Sequence, residues 1–227
     1  MTAVSPVSQL GPYRVVDLSK HIDPATSTRR CHLRRFFRES SQDYYSELDI
    51  ESHLGTHLET PYHYKDAWKD ILDLPVTAFM GRAVLLRLEC APRAPITKAM
   101  LNKADQGRVK AGDIVILNSP YHCEPFSNDP NDQRPYLCGE SGEWCVEKKI
   151  KCLGFGDGVA IEFSVKTACE IHEIVMPHDI TFLEVMQNLD QLKRDVFLLV
   201  CQPMPIKGLD SCCVRAVAIE GVPGFCE

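Results

Sequence analysis

Three histidines and a glutamate fall within one short segment, His53–His63 (HLGTHLETPYH), and this segment constrains the chain more than any other. His53, His57, Glu59 and His63 all hold odd positions, as do Gly55 and Pro61. On an extended chain, residues two apart point to one side. The four polar groups then share a face, with Leu54, Leu58 and Tyr62 opposite. Gly55, between two histidines, leaves space for close approach to the backbone. A helix would also align His53 with His57, at i and i+4. Gly55, Thr56 and Pro61 oppose a helix, and Leu54 stands where an HExxH motif needs its glutamate. The segment therefore reads as extended or irregular. Two imidazoles and a carboxylate suit Zn²⁺ or Mn²⁺ and leave positions open for water. A metal lowers the pKa of bound water towards about 7. His63, two residues past Pro61, is placed to shuttle the proton or to add a ligand.

The rest of the chain supplies a scaffold of alternating elements. Strands are expected at Tyr13–Leu18, Tyr44–His53, Gly81–Leu88, Gly112–Leu117, Cys152–Phe155, Val196–Cys201 and Cys213–Ile219. Helices are expected at Thr97–Gly107, with Thr97 as N-cap, and at Glu140–Lys149. Thr181–Leu192 fits either a helix or a strand followed by a helical turn. The stretch from Ser19 to about Arg38 reads as polar and irregular. Ser119–Arg134, rich in Pro, Asn and Asp, reads as a loop: a lid or binding loop, or a surface insertion. Interleaved strands and helices predict a mixed α/β fold, one domain over residues 1–227.

Composition narrows the partners. A net charge of −6 argues against nucleic acid as a partner. The local cluster Arg29, Arg30, Arg34, Arg35 and Arg38 reads as a solvated surface or interface segment, or as an attractor of an anionic substrate. No apolar run of about 20 residues predicts a membrane span, and Met1–Leu10 does not read as a secretory signal, so a cytoplasmic location is expected. The eleven cysteines form no C-x-x-C pairs, which argues against a cysteine–zinc module; most are expected as small buried hydrophobes. Phe36, Phe37, Tyr44, Tyr45 and Trp68 are expected in the core or lining an aromatic pocket.

The His-rich segment resembles the H-x-G-T-H-x-D-x-P-x-H signature of the cyclase-like metal hydrolases, the family of kynurenine formamidase and isatin hydrolase. His53, Gly55, Thr56, His57, Pro61 and His63 match it. Further blocks are similar in the same order: Asp17–Ser19 (DLS), Gly154–Glu162 (GFGDGVAIE), His172 followed by Glu184, and Pro203–Ile219 (PMPIKGLDSCCVRAVAI). The resemblance implies a mixed α/β domain with a large, partly barrel-like β-sheet and flanking helices, assembled as a homodimer or homotetramer. It implies His53, His57 and Glu59 as ligands of a first metal and His63 as the proton-transfer residue. It also implies His172 as ligand of a second metal, with Glu184 reaching one or both ions and sharing in catalysis. Without it, His172 reads as a surface helix residue and Glu184 as solvated.

The expected cofactor is thus one or two divalent ions, Zn or Mn. The expected reaction is hydrolysis of an amide, cyclic amide or lactone carbonyl of a small molecule. A metal-dependent lyase or dehydratase acting on a small carboxylic substrate, or a non-catalytic binding member, are the alternatives. Three departures from the pattern matter. Glu59 stands for the usual Asp, one methylene longer, and Cys212-Cys213 for the usual Ser-Pro. Formamidase-type members carry a Trp soon after the opening block, whereas the only tryptophans here are Trp68 and Trp144, which argues against N-formylkynurenine as the substrate.

Overall fold

The computed structural model describes residues 5–124, 129–161 and 163–226. Strands β1 (Val7–Leu10) and β2 (Tyr13–Asp17) form a hairpin, and β3 (Cys31–Arg38) pairs with β4 (Asp43–Ile50) in a separate two-stranded ribbon. There follow β5 (His57–Glu59), β6 (Met80–Arg87), α1 (Lys98–Asp105), β7 (Ile114–Asn118), α2 (Gly139–Lys148), β8 (Cys152–Gly156) and α3 (Val165–Val175). The chain ends with β9 (Thr181–Met186), β10 (Val196–Val200), β11 (Ser211–Cys213) and β12 (Val217–Glu220). All strands except the ribbon join one sheet, in the order β1-β2-β12-β10-β6-β7-β8-β9-β5-β11.

The middle of this sheet, β6-β7-β8-β9, is parallel. Parallel neighbours need crossover connections, and α1, α2 and α3 supply them in turn. Such strands are covered on both faces and read as apolar runs; β7, β8 and β9 are buried at every position. Alternation along each strand divides the core in two. Val84, Leu86, Val115 and Phe182 pack beneath the helices with Leu101, Trp144 and Ile171. Ala83, Leu85, Ile116 and Leu183 face the other way, into a cluster shared with Val16, Leu58, Phe197 and Ala218. That second cluster draws on strands from both ends of the sheet, because the sheet curls. Ser19, just past β2, bridges to Met186 on β9, although the two strands lie far apart in the strand order. The large, partly barrel-like sheet expected from the resemblance is present.

Several elements differ from the sequence expectation. The polar stretch before Arg38 is not irregular throughout, since Cys31–Arg38 is a strand. Its alternation was hidden because both faces carry arginine. One face holds Leu33 and Phe37 opposite Leu48 and Tyr44; the other holds Arg34 opposite Glu47 and Phe36 opposite Tyr45. Among the aromatic residues of this ribbon Phe37, Tyr44 and Tyr45 are exposed and Phe36 is half-buried, so none belongs to the buried core. Trp68 is half-buried against the helix-side core and stacks on Tyr64. Cys213–Ile219 is two strands rather than one, broken at 214–216 where Val214 N–H turns to the Thr56 carbonyl. Thr181–Leu192 resolves as a strand followed by a 3-10 turn. Of the eleven thiols, all free, five are buried, fewer than expected. Thr97 caps α1 as anticipated, its Oγ1 accepting from Met100 N–H at 3.3 Å. No helix among the described residues is long and apolar enough to cross a membrane. Glu162 and part of the 119–134 loop, residues 125–128, lie outside the described residues.

Candidate metal centre

Short β5 carries the centre. His57 and Glu59 alternate with Leu58, so while Leu58 enters the curled side of the sheet, the two polar side chains face the helix side. Antiparallel pairing with β9 places Glu184 directly across from His57. Helix α3 is fixed at its start by Ser164, whose hydroxyl accepts from Thr167 N–H at 3.3 Å, and brings His172 from its last turn over the same face. His172 and Glu184 are both buried, which corrects the surface and solvated readings drawn from composition alone.

The segment His53–His63, expected as extended or irregular, is in part each. Only His57–Glu59 is strand. His53 lies in the turn before it, where Gly55 adopts φ +59°, a left-handed conformation that glycine reaches without strain. His63 lies beyond it in the 3-10 turn Pro61–His63, with Pro61 at the position whose missing N–H is harmless. The four side chains converge because the chain folds back on both sides of β5, rather than through a period of two.

Distances are short throughout. His53 Nδ1 stands 3.3 Å from His57 Nε2 and 3.4 Å from Glu59 Oε2. His57 Nε2 is 3.6 Å from Glu184 Oε2. His172 Nε2 is 3.0 Å from Glu59 Oε1, and His63 Nε2 is 3.8 Å from Glu59 Oε2. Glu59 is the member common to two potential ligand groups, His53/His57/Glu59 and Glu59/His63/His172. Its Oε2 faces both His53 and His63, while its Oε1 faces His172.

The outward nitrogens decide what the inward ones can do. His57 Nδ1–H donates to the Gly55 carbonyl at 2.9 Å, and His172 Nδ1–H donates to the Ala168 carbonyl at 2.6 Å. His53 Nε2–H donates to Asp210 Oδ2 at 3.0 Å. Carbonyls and carboxylates only accept, so these bonds place a proton on each outward nitrogen, and each ring in its neutral form turns a lone pair inward. The three inward nitrogens and the Glu59 carboxylate thus face a common space, with His172 Nε2 within hydrogen-bond reach of Glu59 Oε1 at 3.0 Å. This is the pattern of metal-ligating histidines with their outer hydrogen-bond partners, and the donor set fits a divalent cation.

Electrostatics agree with that fit. Burial is the main cause that pushes His57 down to about 4, so it is neutral at physiological pH, as a ligand must be. Burial opposes ionisation of Glu59, but the His172 hydrogen bond and the nearby His63 and His53 outweigh it and hold the carboxyl below its usual range.

Asp210 is the residue that the sequence reading passed over. It lies within the matched C-terminal block, but nothing local marks it, since its partners are 157 and 147 residues away. The same Oδ2 that accepts from His53 also accepts from His63 Nδ1–H at 3.1 Å. Those two bonds hold the Asp210 carboxyl far below the usual range. The Asp210 bond is also the main cause that raises the His63 pKa above its ordinary value. Asp210 is itself presented by an anchored loop. Buried Asp70 accepts from Gly208 N–H at 2.6 Å through Oδ2, and from Leu72 and Asp73 N–H at 2.8 and 3.0 Å through Oδ1. The Gly208 bond is the chief reason that the Asp70 carboxyl lies below its usual range. A depressed folded-state pKa contributes stability that is present at neutral pH and fades as pH falls below about 4. Asp70→Asn turns an amide N–H₂ towards Gly208 N–H and is expected to cost about 1–3 kcal/mol, a fall of several degrees in thermal midpoint. The difference from wild type should shrink when both are melted near pH 3.

Backbone strain sits beside Glu184. Val185, a β-branched residue, has φ +59°, a conformation worth about 1–3 kcal/mol of strain. Thr56 Oγ1–H donates to its carbonyl at 2.7 Å, and Gln187 N–H donates to the Leu18 carbonyl at 2.9 Å, so the surroundings hold it in place. This irregularity falls inside β9, directly after the Glu184 that pairs across from His57.

Comparison with known proteins places the geometry in a lineage. Kynurenine formamidase from Bordetella petrii is 24% identical over 178 residues, covering 77% of this chain and 80% of that protein. Kynurenine formamidase from Bacillus thuringiensis (strain Al Hakam) is 24% identical over 182 residues, covering 79% and 81%. Among solved structures, isatin hydrolase A from Labrenzia aggregata superposes with a TM-score of 0.75 at 18% identity, over 92% of this chain and 94% of that one. A potential metal-dependent hydrolase with cyclase activity superposes with a TM-score of 0.70 at 18% identity, over 93% and 100%. The Cyclase family model matches residues 16–163, well over half of the sequence, and the chain belongs to that family.

Proposed function

We propose that this protein is a metal-dependent hydrolase that opens an amide, cyclic amide or lactone carbonyl of a small molecule. The observation that carries this reading is the convergence of lone pairs from His53, His57 and His172 on Glu59, with every outward ring nitrogen already committed. A divalent ion, Zn²⁺ or Mn²⁺ by its nitrogen and oxygen donors, supplies there a Lewis acid and acidified water at neutral pH. His53, His57 and Glu59 hold a first ion, while His172 and Glu184 extend the ligand set towards a second. With the histidines neutral, Glu59, Glu184 and Asp210 carry three negative charges. One divalent ion then leaves −1 and two leave +1, so counting Asp210 brings a second ion closer to balance.

The chain's own residues handle the proton. His63 turns Nε2 towards Glu59 and keeps Nδ1–H on Asp210, so it takes a proton at Nε2 from the attacking water and returns it to the leaving nitrogen or oxygen. Sequence similarity to formamidases and fold similarity to isatin hydrolases support a carbonyl bonded to nitrogen as the target. Stripping the metal with a chelator is expected to abolish hydrolysis across a panel of N-formyl amides, lactams and lactones. Adding back Zn²⁺ or Mn²⁺ should restore it. Full-rate hydrolysis by metal-free protein, or failure of the reloaded protein to open any member, sinks the reading.

A further inference from the structure

The histidine-rich segment ends at His63, and the residue after it, Tyr64, reaches across to α3. Its half-buried ring lies nearly parallel to the His172 imidazole, with centroids 5.6 Å apart and 17° between the planes. That spacing is an offset stack. The same tyrosine ring stacks on Trp68 at 6.0 Å and 23°, and the Lys65 ammonium sits over the Trp68 ring, 4.8 Å from its centroid.

Tyr64 is tied down at both ends. Its backbone N–H donates to the Pro61 carbonyl at 3.0 Å, closing the turn that carries His63. Its hydroxyl donates to Glu173 Oε1 at 2.9 Å, and Glu173 follows His172 on α3. Both partners of that bond also meet water, so it locates the ring more than it stabilises the fold.

His172 has need of such a neighbour. The bond from its Nδ1–H to the Ala168 carbonyl, 2.6 Å, fixes one point of the imidazole but not its plane. A ring free to turn about that point carries Nε2 away from Glu59 Oε1, which now lies 3.0 Å from it. Phe182 meets the imidazole edge-to-face, at 5.1 Å and 81°, while Tyr64 lies along its face. Contacts on an edge and a face together hold one plane. Ligands kept in place by packing bind an ion without first paying to be ordered.

We infer that Tyr64 is a positioning residue of the metal centre: its ring sets the plane of the His172 imidazole and ties that ligand to the turn bearing the proton carrier His63. The inference rests on the metal-hydrolase reading above. The part that matters is the ring, and the hydroxyl only anchors it.

The test compares full-length wild type with Tyr64→Phe, which keeps the ring, and with Tyr64→Leu and Tyr64→Met, which remove it. Zn²⁺ affinity is measured by competition with a chromogenic chelator. Proton NMR of the metal-free proteins follows the His172 ring resonances, which respond directly to a stacked neighbour. Tyr64→Leu and Tyr64→Met are each expected to bind Zn²⁺ about 3–10-fold more weakly than wild type, the worth of one aromatic pair. Their His172 resonances should move, while Tyr64→Phe stays within about twofold of wild type in affinity and keeps its spectrum. Wild-type affinity in both ringless variants overturns the inference, as do unmoved His172 resonances. So does a Tyr64→Phe that loses as much affinity as Tyr64→Leu, which would assign the effect to the hydroxyl. If wild type itself takes up no Zn²⁺, the metal-hydrolase reading fails and this inference goes with it.

Discussion

His57→Ala is expected to yield a folded protein that retains no metal and has turnover below detection. His57 has no solvent exposure, and its Nε2 lies between His53 and Glu184, so no neighbouring water can replace it without entering the core. Its loss also strands the Gly55 carbonyl, at a cost of about 1–3 kcal/mol. Reduced stability alone would therefore not separate a ligand from a packing residue. Linkage to metal does separate them. An ion held at about a hundred times its Kd stabilises the folded state by about 2.7 kcal/mol, worth about 5–11 °C in a chain of this size. Wild type should show that drop in thermal midpoint when chelator is added, and His57→Ala should show none. His57→Gln, which preserves more of the volume, should also lose the chelator response. Stoichiometric metal in His57→Ala, measured by elemental analysis, would remove His57 from the ligand set.

How much of this centre was legible beforehand depends on chain distance. His53, His57, Glu59 and His63 are local, so residue type and spacing sufficed to single them out, although the reason they converge was misread. A period of two explains His57 and Glu59 on β5; it does not explain His53 or His63, which depend on turns at Gly55 and Pro61. His172 and Glu184 needed the family resemblance, because nothing in a helix sequence says that its last turn will be buried against another strand. Asp210 escaped both routes. A single carboxylate beyond a proline-rich stretch carries no local signal, and its role exists only once β11 pairs with β5 and lays the preceding loop beside His53 and His63. Strand β3 escaped for another reason: its residues are mostly exposed, so burial imposed no apolar-polar alternation on it, whereas its partner β4 falls where a strand was expected, at Tyr44–His53. Strands under the helices were read correctly because burial on both faces leaves an unbroken apolar run, as in Ile114–Leu117.

His63→Ala is expected to lower kcat by about 10²–10⁴-fold while leaving metal content near that of wild type, since His63 is the most exposed of the clustered histidines and lies farther from Glu59 than His172 does. Asp210→Asn should act twice. Through His53 it removes the carboxylate that holds the ligand ring, which lowers metal affinity by about 10–100-fold. Through His63 it removes the acceptor that orients the proton carrier, which lowers kcat. The two effects separate with metal concentration: the first disappears when metal is saturating and the second does not. At saturating metal, the double variant His63→Ala/Asp210→Asn should then be little slower than His63→Ala alone, because residues acting as one unit are non-additive. If Asp210→Asn still imposes its full loss in the His63→Ala background, Asp210 acts on catalysis by a route other than His63. If metal saturation restores Asp210→Asn to wild-type rate, its whole contribution runs through His53, and the shared carboxylate couples ligand to proton carrier in geometry only.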